Sequence, residues 1–347
     1  MYPYHIWLGE DMLILGIETS CDETAASVIE DGYKIKSNII SSQFDVHEKY
    51  GGIVPELACR KHIENIDIVI SAALNESQVS LKDIDLIAVT HGPGLIGSLL
   101  VGLSTAKGMA YALKKPLVGI NHIEGHIYAN FLEEPKTPLP SIALVVSGGH
   151  TELYVIKKHC EYKLIGRTRD DAAGEAFDKV AKMLKLGFPG GPIIEDLARK
   201  GNPNHIEFPR ALMSKDSFDF SFSGLKTAVS YYIKKNKNFV LEDVAASFQE
   251  ALVDVLVTKT IKASIKEGVK DIILAGGVAS NNLLRKEMLK KAMEKERRIH
   301  IPSPVLCTDN AAMVACAGYY RFKDKDFDKD SFFDFLDLDA VANLRLV

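Results

Sequence analysis

The chain has 347 residues, of which 47% are hydrophobic and 25% charged, with a formal net charge of −4. That length suits two or three compact units with a real core, and the charge balance excludes a disordered chain and a polycation that holds nucleic acid by bulk charge. Five cysteines without a CxxC pair argue against a disulfide framework or a thiolate zinc site and suit a reducing, cytoplasmic compartment.

Residues 1–11 lack the basic and apolar regions of a signal peptide and read as an extension ahead of a core that starts at Met12. No apolar run approaches the ~18 residues that span a bilayer, so no membrane association is expected. Leu13 to Ile17 reads as a buried strand. A polar turn follows at Glu18-Thr19-Ser20-Cys21-Asp22-Glu23, then returning strands at 24–29 and 33–40. Such a turn can present backbone N–H groups to a phosphate and carboxylates to a metal or a sugar. Pro55 opens a helix to about Ala73, with Leu57, His62, Ile66, Val69 and Ile70 on one stripe. Strand 84–90, the turn His91-Gly92-Pro93-Gly94, a helix over 97–113 and strand 117–120 complete a first lobe, 12–120.

The plan repeats over 121–322. A helix at 122–132 and a proline-rich link at 135–140 lead to strands 142–147, 151–156 and 162–168. Val145-Val146 runs into a second turn, Ser147-Gly148-Gly149-His150-Thr151, between antiparallel strands. Helix 242–267 stops at Gly268, and strand 271–275 enters the loop Gly276-Gly277-Val278-Ala279-Ser280-Asn281. A Gly-Gly pair at a strand end admits a flat ligand, and the helix behind it favours an anion. Two such turns and a Gly-Gly loop resemble the actin-like ATPase and sugar kinase superfamily. This resemblance implies an α/β fold of two duplicated ribonuclease H-like lobes with a nucleotide cleft between them. The segment 323–347 alternates acidic residues with Phe and Leu and reads as an acidic tail without chemistry. Basic clusters at Lys157, Lys158, Lys163, Arg167 and Arg169, and at Lys290, Lys291, Lys295, Arg297 and Arg298, read as solvated faces.

Asn121-His122-Ile123-Glu124-Gly125-His126 puts two imidazoles four residues apart on one helical face, within reach of one cation. The plainer alternative is two polar helix residues meeting solvent. Ile123 stands where a metalloprotease of the HExxH type has its general base, which excludes that chemistry. Asp309, in Leu306-Cys307-Thr308-Asp309-Asn310-Ala311-Ala312-Met313, is the best third ligand, although an Asp there is also a common N-cap.

With these residues assembled, the chain closely resembles the bacterial branch of the TsaD family, the tRNA threonylcarbamoyladenosine transferases. The resemblance runs from Met12 to Phe322 through GIETSCDETA, YGGIVPELA, HGPGLIGSLLVG, NHIEGH, VVSGGHTEL, DDAAGEAFDKVAK, FPGGP, FSFSGLKTA, AGGVASN and CTDNAAM. It implies transfer of the threonylcarbamoyl group of threonylcarbamoyl-AMP to the N6 amine of the adenosine beside the anticodon, in tRNAs reading codons that begin with A, with release of AMP. It implies one divalent metal on His122, His126 and Asp309, iron(II) first and zinc as the alternative. It implies adenylate contacts at Val145, Val146, Ser147, Gly148, Gly149, Asp178, Gly191, Glu195 and Asn281, with no covalent nucleophile. It also implies two helper proteins, an inactive paralogue (TsaB-like) and a small ATPase (TsaE-like). Asp178 could otherwise pair with Lys182 on the surface, and Glu195 could be an early-helix acid that complements the macrodipole. Val145 stands where archaeal and eukaryotic relatives carry a Tyr, and Asn121 where some relatives have a further His. The rival functions are a small-molecule kinase of the same superfamily, which has no use for a two-His site, and a non-catalytic scaffold, which lacks the metal residues.

Overall fold

A computed structural model describes residues 11–213, 217–324 and 334–346. In chain order these form β1 (Leu13–Glu18), β2 (Glu23–Glu30), β3 (Lys34–Ser42), α1 (Phe44–His47), α2 (Pro55–Ser77), β4 (Leu86–Gly92), α3 (Ile96–Leu113), β5 (Leu117–Asn121) and α4 (His122–Glu133). There follow β6 (Ser141–Val146), β7 (Thr151–Lys158), β8 (Glu161–Arg167), α5 (Ala173–Met183), α6 (Gly190–Ala198), α7 (Ser223–Lys235), α8 (Leu241–Lys266), β9 (Asp271–Ala275), α9 (Asn282–Glu294), β10 (Arg298–His300), α10 (Pro304–Cys307) and α11 (Ala311–Lys323).

The strands make two five-stranded sheets, ordered β3-β2-β1-β4-β5 and β10-β9-β6-β7-β8. Read from opposite ends they are the same sheet. In each, an antiparallel meander of three strands is extended by two parallel strands. This is the duplicated α/β plan that the two strand–turn–strand signatures pointed to. The fifth strand of the second sheet, β10, has three residues and no apolar run, so it left no periodic signal. Its Arg298, expected on a solvated face, instead grips Asp271 of β9 through two hydrogen bonds of 2.6 and 2.7 Å.

The chain divides into two compact units, one of 1–44, 54–135 and 309–346, the other mainly of 45–53 and 136–308. These are not the stretches 12–120 and 121–322 drawn from the sequence. α4 and α11 lie with the first sheet, because α11 packs on β1, β2, β4 and on α4. Strand alternation explains how. Leu15 and Ile17 of β1 face α2 and α3, among Ile66, Val69 and Leu103. Gly16, between them, faces α11, where an added Cβ would lie 2.2 Å from the Ala311 carbonyl oxygen. α11 meets this surface with small buried residues, Ala311 and Ala315 against Gly16 and Gly318 against Ala88, so helix and sheet lie close.

α3, with 18 residues, is long and apolar enough to cross a membrane by length and composition. Here Leu99, Leu103, Ala106 and Ala110 are buried, and the helix packs on β4 and α2. In the second unit α8 is buried on nearly every side, with Phe248 and Leu252 packed among Leu144, Val146 and Leu274 of the sheet. Each such side chain contributes roughly 1.5–3 kcal/mol of burial.

Residues 1–10 lie outside the described residues. The C-terminal stretch expected as an idle tail is partly described, and it is tied to the first unit. Phe335 is buried in the first core, Val341 donates its N–H to the His91 carbonyl (2.8 Å), and Asn121 Nδ2 reaches the Leu344 carbonyl at 3.4 Å.

Candidate functional site

β5 ends at Asn121, whose Oδ1 accepts the N–H groups of Ile123 (2.9 Å) and Glu124 (3.4 Å) and so starts α4. The next residue is His122, and His126 stands one turn later, with ring centroids 4.6 Å apart. At the start of α11 the cap is Asn310, which accepts the Met313 N–H at 3.0 Å. The neighbouring Asp309 therefore does not serve as the cap. Its Oδ1 lies 3.2 Å from His126 Nε2 and 3.6 Å from His122 Nε2. One ligand atom from each of the three residues falls within 4.8 Å of the others.

The set fits a divalent cation. Both ring nitrogens of His126 are buried and make no hydrogen bond, even though a carboxylate oxygen is near. Two imidazoles and one carboxylate are the donors that iron(II) and zinc take. The surrounding charge agrees. Burial, with Asp309 and Asp22 beside it, drives the Glu23 carboxyl well above the usual carboxylate range. Burial, with Asp22 and Asp309 adding, does the same to the Cys21 thiol. Burial pushes His122 down, but Asp309 and Glu18 overcome it and lift the imidazole to about 9. An ion on these ligands would relieve the crowded negative charge. Sequence reasoning missed the buried carboxylate behind His122. Glu18 Oε2 accepts from Thr90 Oγ1 at 2.7 Å and lies 3.2 Å from His122 Nδ1. Its signal was its place at the end of an apolar strand, in a turn able to present carboxylates to a metal, but nothing in the sequence tied it to His122.

The adenylate candidates all lie in the second unit. Val145 and Val146 are fully buried in β6 between β7 and β9, so neither offers a ligand open surface and their part is to carry the turn that follows. Ser147 closes the turn on itself, its N–H to the His150 carbonyl (2.8 Å) and its Oγ accepting the His150 N–H (3.2 Å). That leaves Gly148 and Gly149 to present N–H groups, rather than all three residues. An added Cβ at either glycine, or at Gly191, would meet nothing within 4 Å. Glycines that the fold itself needs look different. A Cβ at Gly174 would lie 2.6 Å from the Ser147 carbonyl oxygen, and one at Gly276 2.4 Å from that of Val146.

Asp178 accepts the Gly190 N–H at 2.7 Å, joining α5 to the start of α6. Glu195, deep in α6, accepts from the Asn282 backbone (3.1 Å) and side chain (2.6 Å) at the start of α9. Asn281 caps α9 by accepting the Leu284 N–H at 3.0 Å and donates to Gln249 at 2.8 Å. Its side chain thus shapes the loop. Beyond the turn, a cleft of about 580 Å³ is lined by Gly149, His150, Arg167, Thr168, Arg169 and Asp219, among others.

Residues 34–316 match the family model described as "TsaD: tRNA N6-adenosine threonylcarbamoyltransferase". A protein of that name from Clostridioides difficile (strain 630) is 54% identical over 341 residues, covering 97% of this chain and 99% of its own. Another, from Symbiobacterium thermophilum, is 54% identical over 337 residues, covering 96% and 97%. Among solved structures, T. kodakarensis HypF is similar with a TM-score of 0.63 and 17% identity, over 90% of this chain and 48% of that one. The Acidaminococcus fermentans (R)-2-hydroxyglutaryl-CoA dehydratase component A is similar with a TM-score of 0.55 and 15% identity, over 89% and 98%. These structural likenesses concern the fold alone.

Proposed function

The chain belongs to the TsaD family of tRNA N6-adenosine threonylcarbamoyltransferases, and from that premise we propose that it carries the threonylcarbamoyl group from threonylcarbamoyl-AMP to tRNA. The acceptor is the N6 amine of the adenosine beside the anticodon, in tRNAs reading codons that begin with A. A bond forms between N6 and the carbamoyl carbon, the bond from that carbon to the AMP phosphate oxygen breaks, and the amine gives up a proton. The observation that carries this reading is the intact His122, His126 and Asp309 cluster in a chain so similar, end to end, to named transferases.

In this reading His122, His126 and Asp309 hold one divalent cation, iron(II) with zinc as the alternative. When bound it supplies Lewis-acid polarisation of a carbonyl oxygen, which a weakly nucleophilic aromatic amine requires. Gly148 and Gly149 receive the AMP phosphate on their N–H groups, in a turn closed by Ser147 at the end of the strand that carries Val145 and Val146. Gly191 admits the nucleoside. Asp178 and Glu195 offer carboxylate oxygens to ribose hydroxyls, each oriented by the bond it makes to a helix start, and Asn281 shapes the base-side loop. The partners are a TsaB-like paralogue and a TsaE-like ATPase, and the compartment is the cytoplasm, in keeping with five free cysteines.

The test incubates the metal-loaded chain and both partners with threonylcarbamoyl-AMP and unmodified tRNA, following AMP release and the modified nucleoside by mass spectrometry. Stoichiometric formation of both is expected. Phosphorylation of a small molecule at the expense of ATP, with no modified nucleoside, would overturn the reading.

A further inference from the structure

The carboxylate of Glu18 is fully buried at the end of β1, in the same unit as His122, His126 and Asp309. A buried carboxylate is costly unless its oxygens are satisfied. Here they are, and the partners show what the group does. Oε1 accepts the Ser20 N–H at 2.5 Å, and Oε2 accepts the Thr90 hydroxyl at 2.7 Å. Oε2 also stands 3.2 Å from His122 Nδ1, with Ser20 Oγ 3.1 Å from the same nitrogen. The other ring nitrogen, Nε2, is the one turned toward Asp309. The ring is therefore held from behind by an anion that is itself fixed by a strand end, a turn and a neighbouring strand.

We propose that Glu18 is a positioning residue for the metal centre: it takes the Nδ1 proton of His122 as a hydrogen bond and so dedicates the Nε2 lone pair to the cation. This rests on the metal reading above. A carboxylate behind a ligating imidazole fixes its tautomer and orientation and raises its basicity, and removing such a partner typically costs 10–100-fold in metal affinity. His126 has no such support, since neither of its ring nitrogens is hydrogen-bonded. The two histidines are thus unequal ligands, with His122 the prearranged one.

Glu18→Gln is the sharpest change, because it keeps shape but can turn an NH2 toward His122. An N–H donor there would reverse the tautomer and put a proton on Nε2, where the cation must bind. Thr90→Val is the milder companion, loosening the carboxylate without removing it. The affinity of the full chain for Zn²⁺ alone is measured by competition with a chromophoric chelator, and the Zn²⁺-loaded wild type is read by long-range ¹H–¹⁵N NMR of its histidines. We expect a protonated Nδ1 and a zinc-bound Nε2 at His122, about 10–100-fold weaker binding in Glu18→Gln, and a smaller loss in Thr90→Val. Zinc on Nδ1 of His122, or unchanged affinity in a folded Glu18→Gln, overturns the proposal. If Glu18→Gln does not fold, the wild-type NMR signature and Thr90→Val still decide. Failure of the wild type to bind any zinc or iron(II) would instead bring down the metal reading itself.

Discussion

A methyl group added at Gly190 would sit 2.7 Å from Asp178 Cα, the Phe177 carbonyl oxygen and Ala181 Cβ, whereas one at Gly191 would meet nothing within 4 Å. Adjacent residues of one motif therefore answer to different demands. Gly190→Ala should lower stability by about 1–3 kcal/mol, as overpacking does. Gly191→Ala should leave the melting temperature unchanged and weaken adenylate binding. Calorimetric titration with AMP, alongside thermal melts, separates the two, and equal melting losses would remove the ligand argument for Gly191. At the proposed metal cluster, His126→Ala and Asp309→Ala should each lower bound metal, measured by elemental analysis, in a chain that keeps its circular dichroism. Asp171 gives a pH prediction. Burial raises its carboxyl, but ion pairs of 2.6 Å to Lys179 and to Lys226 hold it below its ordinary 3.8. Its folded value is depressed, so its contribution is present above about pH 4 and is lost as pH falls through that lower value. Asp171→Asn should be less stable than wild type at neutral pH, and the difference should close on acidification in urea melts followed across pH.

At the scale of elements, the stretch 334–346 is a strap on the first unit. It accepts hydrogen bonds from Gly94 and Asn121, and Leu338 packs against the Cα of Gly119 in β5. Deleting it should lower the melting temperature and speed amide exchange in the first turn of α4, read by hydrogen–deuterium mass spectrometry. Unaltered exchange there would mean the strap only covers apolar surface. The sequence made the major strands and long helices legible, because β1, β4, β6 and β9 are apolar runs ended by turn chemistry and α2 carries a 3.6-residue stripe. The strap was not legible, since its order comes from backbone hydrogen bonds to distant loops rather than from any periodicity of its own. β10 escaped for a similar reason. The site divides the same way. His122 and His126 could be paired from their spacing and Asp309 added from its own motif block through the family resemblance, while Ser147 turning inward, Asn281 acting as a cap and Glu18 standing behind His122 depend on tertiary placement.

For the whole molecule, a net charge of −4 sets the expectation for RNA. Phosphate contacts dominate such affinity, and many basic residues are spent in ion pairs, among them Arg169 with Asp219 and Arg298 with Asp271. The isolated chain should bind tRNA weakly and gain affinity, with a steep salt dependence, when its proposed partners are added. Titrations of labelled tRNA at two salt concentrations check this, and tight partner-independent binding would contradict it. The order in which the ribosome makes the chain is also constrained. The first unit is discontinuous: its sheet and the HxxxH helix are complete by residue 135, but Asp309 and α11 arrive only after the whole stretch 136–308. At ~5–20 residues per second that is a wait of roughly 9–35 s. Throughout it, β1, β2 and β4 lack the helix that covers one face, and two histidines lack their carboxylate. The second unit, encoded later, has nearly all its own residues first. A growing chain therefore holds an uncovered apolar sheet through much of its synthesis, and the proposed metal centre is among the last parts of the protein to exist.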